Sequence, residues 1–257
     1  MSKHSSDLAA TLDAVAAHLA AARRILFITG AGISADSGLP TYRGIGGLYE
    51  DSTTDEGFRI EDALSGEMLA VRPDITWKYL AQIEHNCRGA GPNDAHRAIA
   101  RLEAEFASVV VFTQNIDGLH QAAGSRNVIP IHGDVHHLRC QACGHREEVV
   151  SLEGRELPPV CPNCGDRMRP EVVLFGEMLP EDEITRFYDE LERGFDLVFS
   201  IGTTSVFPYI ARPVVWATQS GIPTVEINPS ETKVTPYVAY KLPMGAAAAM
   251  NALLDRL

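Results

Sequence analysis

The fold is decided by the stretch Ile25-Leu26-Phe27-Ile28-Thr29-Gly30-Ala31-Gly32-Ile33-Ser34-Ala35. It begins with a short continuous apolar run, which is typical of a buried strand in a parallel sheet. The run ends in a glycine-rich turn of the form G-x-G-x-x-A. Such a turn lets backbone amides approach a phosphate, and the N-terminus of a following helix attracts anions. The stretch therefore predicts a pyrophosphate-binding strand-to-helix turn, with a tight turn that binds no ligand as the alternative.

Similar apolar runs recur along the chain, and helical patterns separate them. The runs lie at 109–113, 197–201 and 224–228, and the helical patterns lie at 6–22, 93–106, 180–193 and 209–219. The pattern at Pro180 has acidic residues in its first turn and Gly194 beyond its end, which are typical helix start and stop signals. Strands that alternate with helices predict an α/β fold built on a doubly wound parallel sheet.

Two stretches interrupt this alternation, residues 44–92 and residues 137–172. We interpret both as insertions that together form a smaller domain beside the sheet. The sheet domain would then comprise residues 1–43, 93–136 and 173–257. Ligands of open α/β sheets bind outside the carboxyl ends of the strands. The expected site is therefore a cleft between the sheet and the smaller domain.

Two cysteine pairs lie within the second insertion, and 17 residues separate them. The pairs are Cys140-x-x-Cys143 and Cys161-x-x-Cys164. This spacing is typical of one tetrahedral zinc ion with four thiolate ligands, whereas a redox dithiol would need only one pair. A closed four-thiolate site has no open position, so we expect a structural zinc. His136, His137 and His145 flank the cysteines and are alternative ligands.

The composition excludes several classes of protein. The chain has 257 residues, 45% of them hydrophobic, and a net charge of −12. This acidity argues against a general nucleic-acid binder, because phosphate contact favours a basic surface. The N-terminus is polar, and no apolar run approaches the length of a membrane span. The zinc thiolates and the spare thiol of Cys87 predict a reducing, cytoplasmic location.

Polar residues follow two of the predicted strands. Gln114, Asn115 and Asp117 follow the strand at 109–113, and His132 follows Ile129-Pro130-Ile131. Polar groups past the carboxyl end of a strand project into the cleft. Because a neutral imidazole suits proton abstraction near pH 7, His132 is the candidate general base. The other eight histidines fit surface, packing or metal-flanking positions.

One part of the usual dinucleotide fingerprint is missing. No second strand with a ribose-binding acid appears about 20 residues after the glycine turn. This excludes an ordinary dehydrogenase half. Asn228, at the end of a predicted strand, and the segment Thr203-Thr204-Ser205 are the candidates for a ribose contact.

Taken together, these motifs resemble the sirtuins, the NAD-dependent protein-lysine deacylases. The resemblance runs in order from about residue 20 to about residue 250 and is carried by residues 30–40, residues 113–120, His132-Gly133, the four paired cysteines, Pro170, residues 172–177 and Gly202-Thr203-Thr204. It implies a Rossmann-like NAD-binding domain and a smaller domain. The latter would contain a helical module with a cofactor loop at 44–92 and a zinc ribbon at 137–172.

The resemblance also implies the residues that bind NAD. Those around the pyrophosphate and on the cofactor loop would be Gly30, Ala31, Gly32, Ile33, Ser34, Ala35, Thr41, Tyr42 and Arg43. Those around the nicotinamide and the adenosine would be Gln114, Asn115, Ile116, Asp117, Gly202, Thr203, Thr204 and Asn228. His132 would be the base, with Asn115 and Asp117 as further catalytic residues. The family often has phenylalanine where this chain has Tyr42.

The substrate implied by the resemblance is an acyl-lysine in an extended peptide. The peptide would lie against Val173, Phe175, Gly176 and Glu177. Desuccinylase-type members carry a Tyr-x-x-Arg pair in the acyl pocket, and an alignment through Pro73 and Trp77 puts these positions on Leu80 and Ile83. A shift by one residue would put them on Tyr79 and Gln82 instead, and no arginine appears in either register.

We therefore expect removal of acetyl or longer neutral acyl groups, with release of nicotinamide and O-acyl-ADP-ribose. Two alternatives remain open at the level of sequence. The same scaffold could catalyse ADP-ribosyl transfer or NAD hydrolysis, or the chain could be a zinc-ribbon interaction module without enzymatic activity.

Overall fold

The structure is a computed structural model that describes residues 3–41 and 53–257. Its strands there are β1 (Arg24–Thr29), β2 (Ser108–Thr113), β3 (Val128–Pro130), β4 (Gly133–Cys140), β5 (Arg146–Glu148), β6 (Met168–Val172), β7 (Leu197–Ile201), β8 (Thr224–Ile227) and β9 (Tyr240–Leu242). Its α-helices there are α1 (Lys3–Ala21), α2 (Ile60–Ala63), α3 (Gly66–Val71), α4 (Pro73–Cys87), α5 (Asp94–Glu105), α6 (Leu119–Ala122), α7 (Glu181–Glu192), α8 (Pro208–Gln219) and α9 (Ala246–Leu254).

Six strands form one parallel sheet in the order β3-β2-β1-β7-β8-β9. The chain passes from β1 to β2 on one side, and β7 then pairs with the other side of β1. The strand order therefore reverses at β1, which is where open α/β sheets bind their ligands. The predicted doubly wound sheet is confirmed. We call this sheet, together with α1 and α5–α9, the sheet unit.

The apolar run of β1 is buried on both faces of the sheet. Because side chains alternate along a strand, Ile25 and Phe27 join one core cluster, and Leu26 and Ile28 join the other. Phe27 stacks on Phe199 with ring centroids 4.8 Å apart. This two-sided burial explains why the run shows no alternation of polar residues.

The helices of the sheet unit begin and end at residues with clear capping roles. Asn93 caps α5, where its side chain accepts a hydrogen bond from the Ala95 amide at 2.9 Å. The first turn of α7 is acidic, and Gly194 follows the helix with a φ of +75°. No apolar run or helical pattern of the sequence predicted β9 and α9. The alanine-rich α9 has an apolar face that buries Met250 and Leu253 in the core, whereas β9 is only three residues long.

The remaining elements form a second packing unit. In it, β4 pairs with β5 and β6 in a three-stranded antiparallel sheet, and α2–α4 pack against that sheet. A single apolar cluster contains Trp77 and Leu80 of α4 together with Leu138 and Met168 of the sheet. We call these helices, this sheet and the loops that bear the cysteines the small unit. The predicted boundary between residues 136 and 137 falls within β4. The domain boundaries stay a prediction.

Some side chains also tie the two halves of the small unit together. The carboxylate of Glu84 on α4 is buried, and it accepts hydrogen bonds from the amide of Leu152 at 3.2 Å and from Arg88 at 2.6 Å.

Within residues 3–41 and 53–257, no helix has the length and hydropathy that crossing a membrane requires.

Candidate active site

A cavity of about 710 Å³ lies between the two units, at the carboxyl ends of β1, β2, β7 and β8. From the sheet unit it is lined by Gly30, Ala31, Gly32, Ala35, Thr41, Gln114, Asn115, Ile116, His132, Gly202, Thr203, Thr204 and Asn228, among others. From the small unit and the segment that follows β6 it is lined by Leu64, Leu80, Ile83, Val172, Val173, Leu174, Phe175, Gly176 and Glu177. The cleft expected from the sequence therefore exists, and it brings most of the predicted site residues together.

Three predicted residues do not line this cavity, and two more lie outside the described part of the chain. Ile33 is buried in the core, and Ser34 and Asp117 line a smaller recess of about 20 Å³ that they share with Ala31, Asn115 and Ile116. Tyr42 and Arg43 lie outside the described residues.

The glycine turn packs directly against the turn that follows β7. The Gly32 amide donates to the Gly202 carbonyl at 2.8 Å. A Cβ atom on Gly32 would lie 2.6 Å from the Gly202 Cα, and a Cβ on Gly202 would lie 2.3 Å from the Ile33 nitrogen. Gly202 also has a φ of +61°. Glycine is thus required at both positions by backbone contact, and the two turns together form one floor of the cavity.

The expected helix after the glycine turn is wrong. Two short 3-10 turns, Ala31–Ile33 and Ala35–Ser37, take its place. Gly38 then adopts a left-handed φ of +83°, and Pro40 disfavours a helical Leu39. An anion would accordingly meet the amides of the turn rather than the end of a long helix.

His132 lies between the two units with both ring nitrogens hydrogen bonded. Its Nδ1 is 3.0 Å from the Gln114 carbonyl oxygen, and its Nε2 is 2.7 Å from the Tyr209 hydroxyl. A carbonyl only accepts, so Nδ1 carries the proton, and Nε2 of the neutral ring accepts from Tyr209. Burial lowers the pKa of His132, and the bond to Gln114 opposes that shift. The imidazole is therefore neutral at pH 7 and can act as a base.

Asn115 and Asp117 form a hydrogen-bonded cluster with Ser34. The Asn115 amide donates to the Gly30 carbonyl at 3.3 Å and to the Ser34 hydroxyl at 3.2 Å. The Ser34 hydroxyl in turn donates to the Asp117 carboxylate at 2.7 Å. Burial raises the pKa of Asp117, while hydrogen bonds from Leu119 and Ser34 oppose the rise. The cluster links the turn after β1 to the segment after β2.

A buried polar chain lies directly behind this cluster. The backbone N–H of Asn115 and the Thr29 hydroxyl both donate to the Thr113 hydroxyl, at 3.1 Å and 2.8 Å. His120 bonds to the Thr29 hydroxyl at 3.0 Å and packs edge-on against His96, with ring centroids 4.8 Å apart. Burial lowers the pKa of His96 to about 4 and that of His120 to about 3. Both imidazoles are neutral packing groups, as expected from the sequence.

Side-chain amides hold the end of the cavity that Thr203 and Asn228 line. The Gln114 amide donates to the Thr203 hydroxyl at 2.8 Å, and the Asn228 amide donates to the Thr203 carbonyl at 3.2 Å. The buried carboxylate of Glu226 on β8 accepts a hydrogen bond from Thr235 at 2.6 Å and pairs with Lys241 at 3.0 Å. These bonds fix the loop after β8, part of which lines the cavity.

The segment 173–177 crosses from the sheet unit to the small unit. The Val173 amide donates to the His132 carbonyl at 2.9 Å, and the Phe175 amide donates to the Leu64 carbonyl at 3.0 Å. Glu177 accepts two bonds from Arg169, at 2.7 Å and 2.8 Å. Burial alone would raise the pKa of Glu177, but Arg169 and the Leu174 amide lower it overall. The ionised carboxylate thus holds this segment in place.

The small-unit wall of the cavity is apolar. Leu80 and Ile83 line it, whereas the Tyr79 hydroxyl donates to Glu56 at 2.7 Å and Gln82 is exposed. Of the described residues that line the cavity, none carries a positive charge. Of the two registers, the one on Leu80 and Ile83 therefore falls on residues that line the cavity, and their role in an acyl pocket stays a prediction.

The four paired cysteines converge at one point in the small unit. Their sulfur atoms all lie within 4.8 Å of one another, and the Cys140–Cys164 and Cys143–Cys161 pairs are 3.5 Å and 3.7 Å apart. A tetrahedral site with Zn–S bonds of about 2.3 Å has sulfur–sulfur edges of about 3.8 Å. The cluster therefore fits one structural zinc, and within the described residues no histidine belongs to it.

Among the residues in or next to the site that the sequence did not predict are Tyr209, Phe207 and Arg169. Tyr209 bonds to His132, and Phe207 stacks on Tyr209 with centroids 5.5 Å apart. Both lie at the start of α8, shortly after the predicted Gly202-Thr203-Thr204 segment, which was the only available signal. Arg169 lies within the predicted zinc module and had no distinguishing spacing.

Comparison with known proteins identifies the family. The model of the Sir2 family matches residues 30–208. The chain belongs to the Sir2 family. The resemblance to sirtuins and the predicted α/β fold with a smaller zinc-bearing domain are thereby confirmed.

Two relatives show how far the similarity extends. The chain is 50% identical over 232 residues to NAD-dependent protein deacylase 2 of Pseudomonas aeruginosa, covering 89% of this chain and 90% of that protein. It is 39% identical over 236 residues to NAD-dependent protein deacylase 1 of Archaeoglobus fulgidus, covering 92% and 94%.

Solved structures give the same result. A crystal structure of a Sir2 homologue with NAD is similar to this chain with a TM-score of 0.84 and 38% identity, over 94% of this chain and 92% of that one. A complex of Sir2 with a p53 peptide and NAD⁺ is similar with a TM-score of 0.79 and 28% identity, over 99% and 98%.

Proposed function

We propose that this protein is an NAD-dependent protein deacylase that removes acetyl or other neutral acyl groups from lysine side chains. Relatives that match about nine-tenths of the chain are NAD-dependent protein deacylases, and similar structures hold NAD and a peptide. The observation that carries the proposal is the position of His132. This residue lines a cavity between the two units. On one side of the cavity lie the glycines of the two turns, as in nucleotide-binding sites, and on the other side lies an apolar wall.

The sheet unit would bind NAD. The glycine turn would hold the pyrophosphate, Gln114 and its neighbours the nicotinamide, and Thr203 with Asn228 the adenosine side. The lining fits such a ligand because Gly30 and Gly32 leave a backbone surface that a Cβ atom would fill. When bound, NAD supplies the ribose hydroxyl that accepts the acyl group. Asn115, Ser34 and Asp117 would orient the nicotinamide end through their shared hydrogen bonds.

His132 would act as the general base. Its Nε2 takes a proton from a hydroxyl group, while Nδ1 keeps its proton on the Gln114 carbonyl. The lowered pKa keeps the imidazole neutral at pH 7, with Nε2 unprotonated, so the base is ready without a preceding deprotonation.

The protein substrate would lie in an extended conformation along residues 173–177. This segment is fixed at both ends, by His132 and by Leu64, and could pair with a peptide backbone. The acyl chain would then enter the apolar wall at Leu80 and Ile83. A carboxylate there would be buried without a partner, which favours neutral acyl groups.

We further propose a cytoplasmic protein without a nucleic-acid or membrane partner, for which the acidic composition and the thiolate cluster are the support.

A nicotinamide-release assay tests this function. The assay compares an acetyl-lysine peptide, the same peptide without the acetyl group, and no peptide. Release that depends on the acetyl group, with an equal amount of free lysine peptide formed, is the expected result. Release without peptide would indicate an NAD hydrolase, and release with labelled ADP-ribose on the unmodified peptide would indicate an ADP-ribosyltransferase. Either result would overturn the proposal.

His132→Ala tests the role of the base. Deacylation should fall by at least about a hundredfold, while ADP-ribose still binds. His85→Ala, which changes an exposed histidine on α4, is the matched control and should keep full activity. Near-normal turnover by His132→Ala would remove the base from the mechanism.

A further inference from the structure

The basic nitrogen of His132 already has a partner in the absence of substrate. The Tyr209 hydroxyl lies 2.7 Å from Nε2, and both residues line the cavity. Because Nδ1 is committed as a donor to the Gln114 carbonyl, Tyr209 must be the donor in this bond. It therefore occupies the same lone pair that general-base catalysis requires.

Ring packing holds Tyr209 in this position independently of its hydroxyl. Its ring is stacked on Phe207 with an interplanar angle of 13°. His132 meets both rings edge-on, with centroids 6.0 Å from Tyr209 and 6.3 Å from Phe207. Burial raises the pKa of Tyr209 to about 12, so the phenol stays neutral and remains a donor throughout the working pH range.

No charged side chain competes for this imidazole within the described residues. The segments that bond to His132 or adjoin it in sequence carry the titratable groups Asp117, Asp134, Glu177 and Tyr209. Asp117 accepts from Ser34, Asp134 pairs with His137 at 3.5 Å, and Glu177 pairs with Arg169. Of these groups only Tyr209 bonds to the ring of His132.

We propose that Tyr209 is a positioning residue for His132: its hydroxyl fixes the imidazole with Nδ1 protonated and Nε2 facing the cavity until a substrate hydroxyl replaces it. The inference rests on the proposed function, in which His132 is the base. Tyr209 keeps its own proton throughout. The proton of the substrate hydroxyl goes to Nε2, and the resulting imidazolium retains its Nδ1 bond to Gln114.

This arrangement has a measurable consequence for His132. The hydroxyl bond to Nε2 holds the ring in one orientation and marks that nitrogen as hydrogen bonded in the neutral ring. Tyr209→Phe removes the hydroxyl and keeps the stacked ring. The nitrogen resonance of Nε2 should then move to the position of an unprotonated imidazole nitrogen without a donor, and the fraction of rings in the reactive orientation should fall about fivefold, the effect of one neutral hydrogen bond.

The experiment is a nuclear magnetic resonance titration of nitrogen-labelled histidine in the substrate-free protein. It compares the parent, Tyr209→Phe and the control Tyr188→Phe, whose ring is 57% exposed on α7. The parent should show the tautomer with Nδ1 protonated. In Tyr209→Phe, kcat should fall by about twofold to tenfold with unchanged ADP-ribose affinity, whereas Tyr188→Phe should match the parent in both the Nε2 resonance and kcat.

Three outcomes would overturn the inference. One is an unchanged Nε2 resonance of His132 in Tyr209→Phe, and another is a parent tautomer with the proton on Nε2. The third is a loss of activity of about a hundredfold or more, as large as that of His132→Ala, which would make Tyr209 a participant in proton transfer. Failure of the proposed function has a different signature, since the parent would then release no nicotinamide in response to acetyl-lysine peptide.

Discussion

The sheet unit and the small unit are stabilised in different ways. The six-stranded sheet has an apolar core on each face, built from strands that are buried along most of their length. The small unit has one apolar cluster, and Cys140 and Cys161 are part of it. Its other links include ion pairs such as Glu84–Arg88 and Arg169–Glu177. The sheet unit thus has two apolar cores, whereas the small unit has one apolar cluster and adds a four-cysteine metal site to it.

The two units also line the cavity differently. On the sheet-unit side, for which we propose NAD binding, the glycines of two turns touch directly through their backbones. On the other side, for which we propose substrate binding, the lining is apolar side chains and a segment that Arg169 and Glu177 hold in place. We expect perturbations of the small unit to affect peptide and acyl recognition while the sheet unit stays folded.

The largest expected effect comes from removing zinc. Cys140→Ala, or chelation in mild denaturant, should unfold the small unit and reduce activity below about 1% of the parent, since structural zinc in small peptides contributes about 10–16 kcal/mol of apparent binding free energy. Hydrogen exchange should show lost protection in β4–β6 and retained protection in β1 and β7. Metal analysis should give one zinc per parent chain. Cys87→Ala is the control, and full activity in zinc-free protein would contradict the prediction.

The next effect concerns the acyl group. Burying a succinyl carboxylate against Leu80 and Ile83 without a cation would cost several kcal/mol, so acetyl should exceed succinyl about a thousandfold in kcat/KM on matched peptides. The double variant Leu80→Tyr with Ile83→Arg should raise succinyl turnover. Gln82→Arg, which adds the same charge at an exposed position of α4, should not. Equal succinyl and acetyl turnover by the parent would refute this assignment.

A smaller effect distinguishes the buried polar chain of the sheet unit. The ordinary pKa of histidine is about 6.5, whereas His96 has a folded-state pKa of about 4. The unfolded chain therefore binds a proton as pH falls below about 6.5, and the folded chain does so only near pH 4. The free energy of unfolding should decrease through that window, by about 2 kcal/mol per buried histidine at pH 5.

Urea denaturation of the parent and of His96→Gln at pH 7.5 and pH 5.0 measures this contribution. The decrease between the two pH values should be smaller in His96→Gln by about 2 kcal/mol. Taking the difference between variants cancels any loss of zinc at low pH. His85→Gln is the exposed control. The same decrease in His96→Gln as in the parent would show that His96 is not the group that titrates.

The smallest expected effect concerns the segment 173–177. Arg169→Lys replaces a two-point contact with Glu177 by a single one, which should loosen segment 173–177. The peptide KM should rise by about threefold to tenfold with kcat nearly unchanged, as expected for the loss of roughly 1 kcal/mol of uniform binding. Arg167→Lys, at an exposed neighbouring position, is the control. A fall in kcat at constant KM would place Arg169 in the chemical step instead.

What the sequence could predict depended on how local each signal was. The apolar run of β1, the glycine turn and the two cysteine pairs are contiguous patterns, and the structure has each of them in the expected place. The helix after the turn was wrong because Gly38 and Pro40, a few residues on, end it. The Tyr209–His132 bond joins residues 77 apart, and no periodicity or spacing marks such a pair. Contacts of this kind become visible only once the strand order is known.

The contact between Gly32 and Gly202 limits how this active site can evolve. The atoms that meet belong to the main chain, so enlarging one residue cannot be offset by trimming the other, which already lacks a side chain. Each position therefore constrains the other although they are far apart in sequence. Genetic selection that starts from Gly32→Ala should return true revertants rather than second-site suppressors at position 202. Amino-acid substitutions in descendants of this chain should accumulate on the small-unit side of the cleft, where a larger side chain can be compensated by a smaller neighbour.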